Sequence, residues 1–213
     1  MGVEVKICGL TRAEDAAAAV AGGADYLGVV FAGGPRLVDP ARATALVTAA
    51  AGRPVLGVFG IQPVDEILRV CDACGLAGAQ LHGVYSGEDA VRLRREGLLV
   101  WRVVRLEGAK DLERLPPAAV GADAVLVEPR VAHAAGGAGV ALPPALAREL
   151  RQMLRCRLVL AGGLRPDTVA QAVGLVRPDV VDVSSGVEIL PGIKDSRKME
   201  QFVEAVRGLS PVA

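Results

Sequence analysis

Residues 23–31 read Gly23-Ala24-Asp25-Tyr26-Leu27-Gly28-Val29-Val30-Phe31. The glycine can close a helix in the left-handed conformation, and the aspartate suits the turn into a strand. The six residues that follow are apolar with almost no alternation. A strand with one wet face alternates; a run like this belongs to a parallel strand covered on both sides. The same opening recurs in the second half of the chain as Gly121-Ala122-Asp123, followed by Ala124-Val125-Leu126-Val127-Glu128.

Working outward, further runs of this kind predict strands at Val3–Cys8, Pro54–Phe59, Ala77–Leu81, Leu99–Val104, Leu158–Ala161 and Val180–Val183, besides Tyr26–Phe31 and Ala124–Glu128. Between them the periodicity predicts helices over Arg12–Ala21, Pro40–Ala51, Val64–Cys74, Gly87–Glu96, Lys110–Ala118, Pro144–Leu154, Asp167–Val176 and Ser196–Arg207. Thr11, Asp39, Ser86 and Asp195 are candidate caps, and Pro40 and Pro63 suit helix starts. Strand–helix alternation eight times over, with right-handed crossovers, predicts an α/β fold: a single (β/α)₈ TIM barrel, residues 1–213 forming one domain. An open doubly wound sheet is the alternative, but no Gly-x-Gly-x-x-Gly follows the first strand.

Composition narrows the function. The 213 residues carry no net charge and only 3% aromatics, so there is neither a field nor a stacking surface for nucleic acid. No apolar run is long enough to span a bilayer, and the first residues alternate like a strand instead of reading as a signal peptide. Cys8, Cys71, Cys74 and Cys156 show no disulfide spacing, so a cytoplasmic location is expected. Cys71 and Cys74 lie within one predicted helix without a second pair. With two histidines in the chain, no metal site is expected.

In a barrel of this kind, the C-terminal ends of the strands form the active-site mouth. Asp25, Asp123 and Asp179 precede strands and belong to turns. Cys8, Phe31, Phe59, His82, Glu128, Gly162, Gly163 and Ser184 end or follow strands and can converge on a ligand. Cys8 is either a base or nucleophile, given local stabilisation of its thiolate, or a small buried hydrophobe. Helix N–H groups following it could supply that stabilisation. Glu128 is either a general acid or an ion-paired loop residue, with Arg130 or Arg102 as its partner. Gly162-Gly163 after the seventh strand and Ser184-Ser185-Gly186 after the eighth fit a phosphate, which such loops bind through backbone N–H groups and hydroxyls. Gly136-Gly137-Ala138-Gly139 reads as a lid, a third phosphate-facing loop or a linker.

Several stretches resemble the phosphoribosylanthranilate isomerases. They are Val5-Lys6-Ile7-Cys8-Gly9-Leu10-Thr11, Gly22-Gly23-Ala24-Asp25, Val29-Val30-Phe31, Arg36, Gly57-Val58-Phe59, Gln80-Leu81-His82-Gly83, Gly136-Gly137-x-Gly139, Gly162-Gly163-Leu164, Val181-Asp182-Val183-Ser184-Ser185-Gly186-Val187-Glu188 and Pro191-Gly192-Ile193-Lys194-Asp195. They follow the family order over nearly the whole chain. The resemblance implies an Amadori rearrangement of a small sugar-phosphate substrate, an aminoaldose becoming an aminoketose, with no cofactor. It implies Cys8 as general base, Glu128 as general acid, and Arg36 as the fork holding the anthranilate carboxylate. Gly162, Gly163, Ser184, Ser185 and Gly186 would surround the phosphate. Asp182 would face the interior and bond the substrate's amine or a hydroxyl, or else serve as a buried carboxylate bonded to its neighbours.

Two departures stand out. The family generally has Asp where this chain has Glu128, and a polar residue within the loop that here reads Gly136-Gly137-Ala138-Gly139-Val140. They motivate one alternative, a phosphate-ligand binding protein without turnover. Another is the related isomerase of histidine biosynthesis, whose pattern has Asp in place of Cys8. Apolar loops would allow a homodimer, which nothing in the sequence requires.

Overall fold

The computed structural model describes residues 2–129 and 144–209. Eight parallel strands close into a barrel in chain order: β1 (Glu4–Ile7), β2 (Tyr26–Val30), β3 (Val55–Phe59), β4 (Gly78–Leu81), β5 (Leu99–Leu106), β6 (Ala124–Pro129), β7 (Arg157–Leu160) and β8 (Val180–Val183). The helices between and after them are α1 (Ala13–Ala21), α2 (Pro40–Ala49), α3 (Val64–Cys74), α4 (Gly87–Arg95), α5 (Leu115–Ala119), α6 (Pro144–Met153), α7 (Val169–Val176) and α8 (Ser196–Arg207). The predicted (β/α)₈ barrel is the fold found. β1 closes the ring against β8, with Lys6 opposite Asp182.

Side chains alternate along each strand, and this splits the apolar residues into two cores. Val5 and Ile7 of β1 point outward and join the layer packed under the helices. Leu56, Trp101, Ala124, Leu126, Val159 and Val180 fill the barrel interior instead. The lower end of that interior is sealed by polar side chains that satisfy one another. Arg157 donates to the Tyr26 hydroxyl at 2.9 Å and pairs with Glu4 at 2.5 Å. The Tyr26 ring meets Trp101 edge-on, with centroids 5.1 Å apart. Lys6 lies over the Trp101 ring, its Nζ 5.6 Å from the centroid.

The aspartates before strands have a structural task that repeats. Asp25 accepts the Val5 N–H at 2.7 Å, Asp123 the Val100 N–H at 2.8 Å, and Asp179 the Leu158 N–H at 2.7 Å. Each thereby fastens the start of an even strand to the odd strand before it. Each also pairs with an arginine from the outer ring: Arg207 of α8, Arg94 of α4 and Arg151 of α6 respectively. Ala77 holds the equivalent place before β4 and offers Val55 no such acceptor.

Differences from the sequence expectation are local. Lys110–Ala118 is not one helix but a 3₁₀ turn over Ala109–Arg114 followed by α5. Pro116 and Pro117 explain the break, since neither can donate a helical N–H and each clashes with a preceding turn. β5 runs on to Leu106, which sets Arg105 beside Glu128. Thr11 caps nothing; its hydroxyl donates to the Gly192 carbonyl, and Arg12 occupies the cap position of α1. A hairpin of β9 (Glu188–Leu190) and β10 (Ile193–Lys194), unforeseen in the sequence, follows β8 and carries Lys194 into the interior.

Candidate active site

The C-terminal ends of the strands enclose a cavity of about 400 Å³, within the range of small-molecule sites. Cys8, Arg36, Glu128, Asp182, Gly162, Gly163, Ser184, Ser185 and Gly186 all line it. Gln80, His82 and Arg105 line it as well.

Cys8 follows β1 and projects inward two residues beyond Lys6, so both side chains fall on the barrel axis. A glycine in β2 makes the room. A β-carbon on Gly28 would lie 2.7 Å from Cys8 Sγ and 3.0 Å from Lys6 Nζ. Burial pushes the Cys8 thiol up; Lys6 pulls it back, Asp182 adds to the rise, and Lys194 opposes it. The charge that favours a thiolate here is thus a buried ammonium, whereas the sequence had suggested the start of α1.

Asp182 is buried, and Lys6 Nζ stands 3.1 Å from both of its oxygens. It lines the cavity while bonded to its neighbour, so the two sequence readings of this residue meet. Burial drives its carboxyl up and Lys6 works against that.

Arg36, in the loop after β2, forks onto Glu188 with Nε–Oε1 at 2.8 Å and Nη2–Oε2 at 2.6 Å. The fork uses two of its five N–H donors. Glu188 also takes Lys194 at 2.9 Å and the Gly192 N–H at 3.1 Å. Burial alone would raise the Glu188 carboxyl, but Arg36, Lys194 and Gly192 together bring it to about 2. Lys194 also donates to the Ser184 carbonyl at 3.1 Å, so this buried cluster ties Arg36 to the loop after β8. Gly9 lets the parts fit: it sits at φ +70°, and a β-carbon there would collide with Arg36 Cδ at 2.4 Å and Ser184 Oγ at 2.7 Å.

Glu128, at the end of β6, faces a different partner from those expected. Its Oε2 accepts from Arg105 Nε at 3.3 Å, and His82 Nε2 is 4.0 Å away. Arg105 Nη2 also meets the His82 ring. Burial and then Arg105 push the His82 imidazole below its usual range. Arg102 instead binds the carbonyls of Pro117 and Tyr85, and Arg130 lies outside the described residues. The Gly136–Gly139 loop also lies outside them.

The two glycine-bearing loops meet at one rim. Gly162 and Gly163 have φ of +90° and +69°, a left-handed backbone that glycine adopts without strain. Gly186 closes the gap: a β-carbon on it would lie 1.9 Å from the Leu164 carbonyl oxygen. Only a glycine allows the loop after β8 to rest on the loop after β7, concentrating Ser184 and Ser185 beside Gly162 and Gly163.

Sequence reasoning did not single out Lys6, Gln80, Arg105, Glu188 or Lys194. Lys6 and Gln80 stood inside predicted strands at inward positions, and their alternation with Cys8 and His82 was the available signal. Cys71 and Cys74 are buried in α3, where Cys74 donates to the Pro40 carbonyl and Cys71 is pushed by burial up to about 12.

Comparison with known proteins agrees with the fold. Residues 5–205 match the family model described as N-(5′-phosphoribosyl)anthranilate isomerase. The chain is 42% identical to the protein of that name from Symbiobacterium thermophilum, over 97% of this chain and 99% of the relative. It is similar to a crystal structure of phosphoribosyl anthranilate isomerase in complex with reduced 1-(o-carboxyphenylamino)-1-deoxyribulose 5-phosphate, at TM-score 0.86, 33% identity, and 97% and 100% coverage of the two chains. It is likewise similar to monomers generated from the dimeric enzyme of Thermotoga maritima, at TM-score 0.85 and 35% identity over 97% of this chain and 100% of that one.

Proposed function

The chain belongs to the N-(5′-phosphoribosyl)anthranilate isomerase family, and from that premise we propose how its residues divide the reaction. The enzyme isomerises N-(5′-phosphoribosyl)anthranilate to 1-(2-carboxyphenylamino)-1-deoxyribulose 5-phosphate in tryptophan biosynthesis. Glu128 protonates the furanose ring oxygen as the C1′–O bond breaks, leaving an iminium. That cation acidifies the neighbouring C–H bond, so the Cys8 thiolate suffices to remove the C2′ proton. The resulting enolamine tautomerises to the ketone. Each such proton transfer contributes roughly 10²–10⁴-fold.

The phosphate binds at the rim of Gly162, Gly163, Ser184, Ser185 and Gly186. Arg36 offers the anthranilate carboxylate the edge of its guanidinium not engaged by Glu188. Asp182 accepts from the substrate's amine or a hydroxyl while keeping Lys6. The observation that supports this division is that a thiol from β1 and a carboxyl from β6 line one cavity, with both glycine-bearing loops on its border.

Purified protein, given the substrate and nothing else, is expected to consume it with loss of anthranilate-type fluorescence. Cys8→Ala is expected to abolish turnover with the circular dichroism unchanged; a variant at wild-type rate would sink the base assignment. The cytoplasm is the compartment we assign, where the four thiols stay reduced. A homodimer is part of the same reading, supported by the likeness to the dimeric Thermotoga enzyme and by exposed Ile61 and Val84 on neighbouring loops. Sedimentation of wild type against Ile61→Lys tests it: a monomeric wild type removes the dimer.

A further inference from the structure

Beneath Cys8 the barrel holds a polar layer in which Lys6 and Gln80 have no part in the steps above. Lys6 is wholly buried. Its Nζ donates to Gln80 Oε1 at 2.9 Å, stands 3.1 Å from each Asp182 oxygen, and faces the Trp101 ring from above. Burying an ammonium is unfavourable unless it is paired and hydrogen-bonded, and this one has been given both. Its remaining side is turned to Cys8: Sγ and Nζ both come within 3.0 Å of the point a Gly28 β-carbon would occupy.

We propose that Lys6 is a positioning residue for the reaction, the fixed counter-charge against which the Cys8 thiolate forms, with Gln80 and Asp182 holding it in place. This rests on Cys8 being the base. Three features make the site suited to that task. The ammonium is out of water, so its field is not screened as a surface charge would be. It is wholly buried and does not line the cavity, leaving the substrate side of Cys8 open. Gln80 is neutral, so it anchors Nζ without cancelling its charge, whereas Asp182 cancels it in part.

The charges around Cys8 come from several elements. Lys6 is on β1, Asp182 on β8, Lys194 on β10 and Arg36 in the loop after β2. His82, Arg105 and Glu128 face them across the mouth from β4, β5 and β6. Lys6 and Asp182 therefore pull Cys8 in opposite directions, Lys6 toward the thiolate and Asp182 toward the thiol.

The test is iodoacetamide alkylation of the full chain across pH, with Cys8 followed by peptide mass mapping, alongside steady-state kinetics. In Lys6→Met the Cys8 alkylation midpoint is expected to rise by about one pH unit or more, the effect of losing a nearby opposite charge. The acid limb of kcat should move up with it, and kcat at neutral pH should fall about tenfold, as a one-unit shift requires, with KM little changed. Asp182→Asn should move the midpoint the other way. Should Lys6→Met fail to fold, Lys6→Met/Asp182→Asn removes both charges and should still raise the midpoint, by less. An unmoved or lowered midpoint in the folded Lys6 variant, or in the double variant, overturns the proposal, as does an upward move in Asp182→Asn. Alkylation is read without turnover, so a fully active Cys8→Ala would defeat the base reading separately.

Discussion

Gly28 shows how much chemistry one absent side chain controls. Its missing β-carbon leaves the space that Cys8 and Lys6 share. Gly28→Ala should shift Sγ enough to cost roughly 10²-fold in kcat, the scale of about an ångström of misplacement. The measurement is kcat together with a melting curve, and unaltered kcat would mean that the thiol tolerates the move. Glu128→Gln should lower kcat by about 10²-fold or more, the low end for loss of an acid–base partner. Glu128→Asp shortens the reach past Arg105 and reads whether the longer side chain is a compromise. Glu188 makes a pH prediction with a definite sign. Its carboxyl sits at about 2 in the folded chain, below the ordinary 4.5. Its ionised form therefore stabilises the fold above the ordinary value, and that stabilisation drains away as pH falls toward 2. Unfolding free energy measured between pH 5 and 3 should drop less steeply in Glu188→Gln than in wild type.

At the scale of elements, the recurring aspartates carry the prediction. Asp123→Ala leaves the Val100 N–H without its side-chain acceptor, so urea unfolding should show a loss of about 1–3 kcal/mol with kcat intact. Ala77→Asp would supply the acceptor that β4 lacks and should gain about 0.5–1.5 kcal/mol, the net worth of an ordinary hydrogen bond. The sequence made this much legible: Asp25, Asp123 and Asp179 sat on the stability face because each preceded a strand. Their acceptor role was not readable, because it depends on the register between neighbouring strands. The fifth helix misled for a related reason: residues 110–118 have helical composition, but Pro116-Pro117 forces a new start at Leu115. The β9–β10 hairpin was missed because Glu188–Lys194 is too short for periodicity to register.

For the whole molecule, strand–helix alternation made the barrel readable before any contact was known, since each buried apolar run needs cover on both faces. Which side chains meet inside was not readable. Lys6 finds Asp182 only when the two ends of the barrel strand order join, far apart in sequence. Cys71 gives a global probe: with its thiol held near 12 and buried on the inner face of α3, it should be alkylated at pH 8 only as fast as the native chain opens. A Cys71 rate that ignores denaturant would contradict that. The plugged lower barrel has a kinetic meaning. Arg157, Tyr26, Trp101 and Lys6 touch one another in turn below Cys8, so among the described residues the barrel is filled beneath the site. With the space beneath filled, the ketose can occupy only the cavity its precursor must enter, so accumulated product should compete with substrate, raising the apparent KM and leaving the maximal rate alone.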